Sequence, residues 1–256
     1  MDVELDGPVK FIIGQGEYMS KTIVVFGAGS GLGSATARRF GREGYAVALV
    51  ARRREPLEAL AVSLGEQGIE AATFPANLTD STGVPKLIDA ITERFGGIDV
   101  VEYAPIATVA PFAAATELTA DTLRDIVDLY LYTPVEIAHA VLPGMIERGA
   151  GAFLLGQGLS AAMAAPGMSG VGPIMAAARH WIHSLNGELT GTGVYAGTLT
   201  VSAWIDGSAG HQAASAADPE LSGNPVVDPA DLADQYWDLF TKRDRIEQIH
   251  PPVAQR

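Results

Sequence analysis

The stretch Gly27-Ala28-Gly29-Ser30-Gly31-Leu32-Gly33 constrains this chain more than any other. It follows the apolar run Thr22-Ile23-Val24-Val25-Phe26, which reads as a buried strand, and leads into Ser34-Ala35-Thr36-Ala37-Arg38-Arg39-Phe40, which reads as a helix. Strand, glycine turn, helix is the arrangement that a nucleotide-binding loop requires. The glycines let backbone come close to a pyrophosphate, and the helix N-terminus behind them offers free N–H groups and positive potential to the same anion. An ordinary glycine-rich turn has the same composition. The flanking strand and helix decide for the nucleotide.

The alternation continues. Tyr45-Ala46-Val47-Ala48-Leu49-Val50-Ala51 reads as a second strand, and Arg54 to Leu64 as a helix with Leu57, Leu60 and Leu64 on one face. Ala71 to Pro75 reads as a third strand, Leu87, Ile88, Ile91 and Phe95 mark another helix face, and Ile98-Asp99-Val100-Val101 begins a fourth strand. Near the end, Asp228-Pro229-Ala230-Asp231 caps a helix running through Tyr236-Trp237-Phe240, and Arg245 to His250 forms a last strand stopped by Pro251-Pro252. This pattern predicts an α/β, Rossmann-type, doubly wound parallel sheet with helices on both faces and ligands at the carboxyl ends of the strands. With 256 residues, 48% of them apolar, and no linker or repeat, residues 21–256 read as one dinucleotide-binding domain. Residues 1–20 read as an N-terminal extension, with Phe11-Ile12-Ile13 its apolar cluster.

Several function classes are excluded. The 30 acidic residues outweigh the 17 basic ones for a net charge of −13, which leaves no basic stripe for a nucleic acid. There is no cysteine, hence no disulfide and no thiolate chemistry. His139, His183, His211 and His250 are scattered without metal-ligand spacing, so no metal is expected. No apolar run reaches the roughly 18 residues of a membrane span, and the N-terminus lacks a secretory pattern. The expectation is a soluble cytoplasmic protein with no membrane partner.

The second strand ends at Ala51 and is followed at once by Arg52-Arg53-Arg54. In a dinucleotide fold an acid near this point binds the ribose 2′-hydroxyl, whereas arginine accommodates a 2′-phosphate. Ala51 stands where the acid is expected. An arginine cluster opening a helix opposes the helix dipole unless an anion is bound. NADP(H) is therefore predicted over NAD(H), held by Arg52, Arg53 and Ser30.

The spacing Gly-x-x-x-Gly-x-Gly, with Ala140-Val141-Leu142-Pro143-Gly144-Met145, Pro166-Gly167-Met168-Ser169 and Ala176-Ala177-Ala178-Arg179-His180-Trp181, resembles the short-chain dehydrogenase/reductase family over nearly the whole chain. The resemblance implies cofactor contacts from Gly27, Gly29, Ser30, Gly31, Leu32, Gly33, Arg52 and Arg53, from Asn77 and Leu78 beside the adenine, and from Ala104 after the fourth strand. It implies a homodimer or homotetramer built on the helices Leu131 to Ile146 and Val171 to Leu189, and a mobile substrate loop over Asp206 to Pro225. It also implies an Asn-Ser-Tyr-Lys catalytic set. Alignment through Pro166-Gly167-Met168 puts Gly158 at the serine, Val171 at the tyrosine and Met175 at the lysine, and alignment through Leu142-Pro143-Gly144 puts Tyr130 at the asparagine. Gly158, Val171 and Met175 can neither transfer a proton nor hold a charge.

Tyr130 is the best replacement acid, because its position faces the site in relatives. Tyr103 and Tyr132, like Tyr130, are expected near the carboxyl ends of the strands or on the central helix, and Gln157 and Ser160, flanking Gly158, hydrogen-bond either a ligand or their own backbone. No lysine lies between Lys86 and Lys242 to lower a phenol pKa. Three readings follow: an NADP(H)-dependent oxidoreductase on a carbonyl or hydroxy substrate with a rebuilt active site, a catalytically inactive NADP(H)-binding regulator or scaffold, and a non-redox enzyme using the same pocket.

Overall fold

The computed structural model describes residues 20–107, 112–217 and 225–253. The N-terminal extension with Phe11-Ile12-Ile13 lies outside the described residues. The chain lays down β1 (Thr22–Phe26), α1 (Leu32–Arg42), β2 (Ala46–Ala51), α2 (Arg54–Gly65), β3 (Ala71–Pro75), α3 (Val84–Phe95) and β4 (Val100–Tyr103). It continues through α4 (Ala120–Val127), α5 (Thr133–Arg148), β5 (Gly151–Gly158), α6 (Gly172–Glu188) and β6 (Val194–Val201). A short β7 (Trp204–Ile205), α7 (Ala209–Ala217), β8 (Val226–Val227), α8 (Pro229–Lys242) and β9 (Glu247–His250) complete it.

Seven strands form one parallel sheet in the order β3-β2-β1-β4-β5-β6-β9, the doubly wound architecture the alternation predicts. The chain starts at the centre, winds out to β3, then returns beside β1 as β4. That reversal opens a crevice at the carboxyl ends of β1 and β4, where such sheets bind ligands.

Alternate residues of each strand serve different layers. On β1, Ile23 and Val25 pack under Leu57, Leu64, Leu232 and Leu239, while Val24 and Phe26 pack toward Ile91, Ile137, Met145 and Ile182. Both faces are covered, so the strands read as continuous apolar runs rather than alternating ones. Asp228 accepts a hydrogen bond from the Ala230 N–H at 2.8 Å and caps α8.

Two local features place the site. Gly27 has φ +93°, and a Cβ there would lie 2.8 Å from Pro105, while one on Gly33 would lie 2.5 Å from the Gly27 carbonyl oxygen. Only glycine lets the turn after β1 fold this tightly under the start of α1. Between α4 and α5 the chain makes a turn of π-helix, Asp128–Tyr132, with Leu129 and Tyr130 buried. Such bulges re-aim side chains and recur at functional sites. The segment Asp206 to Pro225 contains α7, and β7 pairs in parallel with β8 through Trp204↔Val226 and Ile205↔Val227. Residues 218–224 lie outside the described residues.

Candidate active site

Two cavities of very different size lie at the carboxyl edge of the sheet. The outer one has a volume of about 850 Å³. Its floor is the glycine loop, through Gly27, Ala28, Gly29 and Ser30, and its walls are Asn77, Leu78 and Thr79 after β3, Pro105 to Ala107 after β4, Thr122, Asp125 and Ile126 of α4, and Leu129 of the π-turn. Ala51, Arg52 and Arg53 stand along its side, both arginines exposed. The Asn77 carboxamide oxygen accepts from the Thr79 N–H at 3.2 Å and from the Thr79 hydroxyl at 3.0 Å, which fixes that turn. The Ser30 hydroxyl donates to the Gly207 carbonyl at 2.9 Å, tying the loop to the chain just before α7.

Of the residues that the sequence assigns to the cofactor, Gly27, Gly29, Ser30, Arg52, Arg53, Asn77 and Leu78 line this cavity. Gly31, Leu32, Gly33 and Ala104 lie outside its lining. Gly31 is backed by Ser208 and Ile205, Leu32 is packed in the core, Gly33 presses on Gly27, and Ala104 packs against the core beside Gly156. The structure adds residues that the sequence reading did not single out for this role: Ser34 and Arg38 on α1, and Pro56, Leu60 and Ser63 on α2. The available signal was helical spacing, since Ser34 and Arg38 stand four residues apart and share a face.

The inner cavity measures about 10 Å³ and is lined by Tyr103, Pro105, Tyr130, Leu155, Gly156, Gln157, Met175 and Ala178. The Tyr130 hydroxyl accepts a hydrogen bond from the Ala107 N–H at 2.9 Å. Burial raises its pKa, against the lesser effect of that hydrogen bond. The Tyr103 hydroxyl donates to the Leu129 carbonyl at 2.5 Å, and burial raises it well above the ordinary phenol value. Tyr132 points away and is 52% exposed. The Gln157 amide donates to the Thr198 hydroxyl at 3.1 Å, and its own carbonyl oxygen is buried without a partner among the described residues.

The positions that the resemblance gives to the catalytic set divide. Tyr130 and Met175 both line the inner cavity, and a Cβ on Gly158 would be 4.0 Å from the Met175 sulfur and 3.9 Å from the Ser160 hydroxyl. Val171 is buried in the core at the start of α6. Across the sheet, Glu102 is 0% exposed. Its carboxyl oxygens meet no hydrogen-bond partner of good geometry among the described residues, and burial pushes its pKa up to about 8. The equally buried Tyr236 hydroxyl lies close enough to Glu102 for the two to affect each other's titration.

The sequence profile of the short chain dehydrogenases matches residues 21–203. The chain belongs to the short-chain dehydrogenase family. Among curated relatives, this short-chain dehydrogenase is 33% identical over 177 residues to sulfoacetaldehyde reductase 2 of Chromohalobacter salexigens, covering 69% of each. It is 35% identical over 132 residues to a fatty acyl-CoA reductase of Mycobacterium tuberculosis, a match spanning 51% of this chain and 45% of that relative. Among solved structures, an alcohol dehydrogenase from Thermococcus sibiricus complexed with 5-hydroxy-NADP superposes with a TM-score of 0.76 at 27% identity, covering 92% of this chain and 98% of the other. A short-chain dehydrogenase from Sphingobium yanoikuyae in complex with NADPH gives a TM-score of 0.76 at 26% identity, covering 91% and 89%.

Proposed function

We propose that this short-chain dehydrogenase binds NADP(H) in the outer cavity and reduces a carbonyl substrate with Tyr130 as the proton donor in place of the family's usual set. The observation that carries the reading is the outer cavity: about 850 Å³ of space over a glycine floor, with Arg52, Arg53 and Ser30 along its lining. The residues fit the cofactor. The turn is closed where a Cβ on Gly33 would strike Gly27, which brings the start of α1 up behind the glycine floor, where a pyrophosphate would sit. Asn77 and Leu78 would flank the adenine, and the arginines would take the 2′-phosphate. When bound, NADPH supplies the hydride.

The chain itself has to supply the proton. The Tyr130 oxygen accepts from Ala107, so its own O–H remains to donate. Burial raises its pKa, which keeps it protonated at neutral pH. That suits an acid in carbonyl reduction and not a base in alcohol oxidation. Gly158, Val171 and Met175 provide neither a hydroxyl nor a cation, so the rate falls short of what the usual proton relay gives.

A second reading, a catalytically silent NADP(H)-binding regulator or scaffold, is favoured by one observation. The inner cavity, at about 10 Å³, has room for roughly one water and none for a substrate carbonyl. Calorimetric titration with NADPH and NADH, followed by NADPH consumption over a panel of aldehydes and ketones, separates the readings. Tight NADPH binding with turnover supports the reductase. Tight binding without turnover on any member supports the silent binder, and equal affinity for the two cofactors removes the NADP(H) reading. We propose further a symmetric homodimer or homotetramer through α5 and α6, where Ile146 is exposed and Trp181 half-buried. A monomer mass in light scattering at micromolar concentration would exclude it.

A further inference from the structure

We infer that Arg38 is a further cation for the 2′-phosphate of NADP(H), and that this residue of α1 helps set the preference for NADP(H) over NAD(H). The inference rests on the cofactor reading above and names a residue that neither the arginine cluster after β2 nor the glycine loop contains.

Arg38 and Arg39 are neighbours in sequence with opposite uses. Arg39 is neutralised: it pairs with Glu43 and, at 2.6 Å, with Asp234, and its guanidinium lies 4.7 Å over the Trp237 ring. Arg38 makes no ion pair among the described residues. Among the described residues its one hydrogen bond runs from Nη1 to the Ser34 carbonyl oxygen at 3.2 Å. Side chains on a helix lean toward its N-terminus. Arg38 therefore reaches back one turn, and it lines the outer cavity together with Ser34, Arg52 and Arg53.

A guanidinium has five N–H donors, and four of these remain on Arg38. The position is half-buried, in a chain of net charge −13 that has carboxylates to spare. Leaving a cation partly desolvated without a carboxylate is unfavourable unless an anion comes to it. Among the described residues Asp125 is the one carboxylate in the cavity lining, and it does not pair with Arg38. Ala51 removes the acid that would compete for the same place. Partial burial also makes a charge-assisted bond from Arg38 stronger than one from the exposed Arg53.

The test is calorimetric titration of the full chain with NADP⁺, NAD⁺ and adenosine 2′,5′-bisphosphate, the last a probe that carries the phosphate without the nicotinamide half. Arg38→Ala is expected to weaken NADP⁺ and the bisphosphate by about ten- to hundredfold and to leave NAD⁺ unchanged. Arg38→Lys recovers part of the loss, because charge returns without the fork of donors. Unchanged NADP⁺ affinity in Arg38→Ala, or an equal fall for NADP⁺ and NAD⁺, overturns the assignment. If Arg52→Ala abolishes the preference while Arg38→Ala keeps it, Arg38 alone is refuted and the cofactor reading stands. Equal binding of NADP⁺ and NAD⁺ by the wild type refutes both.

Discussion

The outer and inner cavities sit at the same edge of the same sheet, yet they hold opposite kinds of information. The outer cavity, of about 850 Å³, is built mostly from backbone, small residues and long cations. Its demands are geometric, and the glycine turn meets them with atoms every residue has. The inner cavity, of about 10 Å³, is lined by tyrosines, Gln157 and Met175. Catalysis there depends on particular functional groups within hydrogen-bond reach of a reacting atom. A fold fixes the first kind of demand through its backbone and leaves the second to individual side chains, so family membership informs about binding more than about chemistry.

The largest effect expected is at Tyr130. Tyr130→Phe removes the proton donor and is predicted to lower NADPH-dependent carbonyl reduction by about 10²–10⁴ while leaving NADPH affinity within twofold. Steady-state kinetics and titration measure the two separately. A variant that turns over like the wild type would show that water supplies the proton, and it would dissolve the contrast between the cavities in favour of cofactor positioning alone.

Next comes the other side of the same strand. On β4, Tyr103 faces the inner cavity and Glu102 faces the layer under α8. The folded-state pKa of Glu102, about 8, lies above its ordinary value of 4.5. The native state thus binds the proton more tightly than the unfolded chain. The stability this contributes is fully present below pH 4.5 and is lost as pH rises through 8, by roughly 3–5 kcal/mol across the window. Glu102→Gln cannot ionise. Urea denaturation should find it more stable than wild type at pH 9, with the difference closing toward pH 5. A pH-independent difference would mean that the carboxyl is already hydrated in the native state.

Glu102 also shows where sequence stops being legible. The strands and helices read well because apolar runs, caps and glycines act locally: β1 and β3 fall at the predicted residues, and Asp228 caps α8 as its position suggested. In a parallel sheet covered on both faces, however, alternation carries no sign of which side a residue takes, so the direction of Glu102 was unreadable. The π-turn at Asp128–Tyr132 has no sequence signature, yet it aims Tyr130. On the other side, Gly27, Gly29, Ser30, Arg52 and Asn77, which the sequence singles out, do line the outer cavity. Arg38 escaped because, within a run of arginines on α1, pattern alone cannot say which guanidinium finds a carboxylate.

A moderate effect tests the outer cavity directly. Arg52→Ala should lose about 1.5–3 kcal/mol of NADP⁺ binding, a ten- to hundredfold weaker Kd, with NAD⁺ unaffected. Salt sharpens the result. The wild-type preference for NADP⁺ should shrink as ionic strength rises, because Arg52 and Arg53 are exposed and their attraction is screened. A preference that survives both the substitution and high salt would move recognition to groups buried deeper in the cavity.

The smallest effect belongs to Arg39, and it is the control that gives the others meaning. Arg39 lies on α1 beside Arg38, bears the same charge, and is turned toward Glu43, Asp234 and Trp237. Its ion pairs are partly solvent-screened, and Asp234 is well exposed at 63%. Pairs of that kind contribute about 0.2–1 kcal/mol, and stacking on the indole adds a comparable amount. Arg39→Ala should therefore lower the unfolding free energy by about 1 kcal/mol, through weaker contact between α1 and α8, and should leave both cofactor affinities untouched. A loss of NADP⁺ affinity in Arg39→Ala would mean that α1 responds as a rigid body to any lost arginine, and effects at Arg38 would then report helix position. Intact affinity there, beside a selective loss at Arg38, would tie phosphate recognition to the guanidinium that enters the cavity.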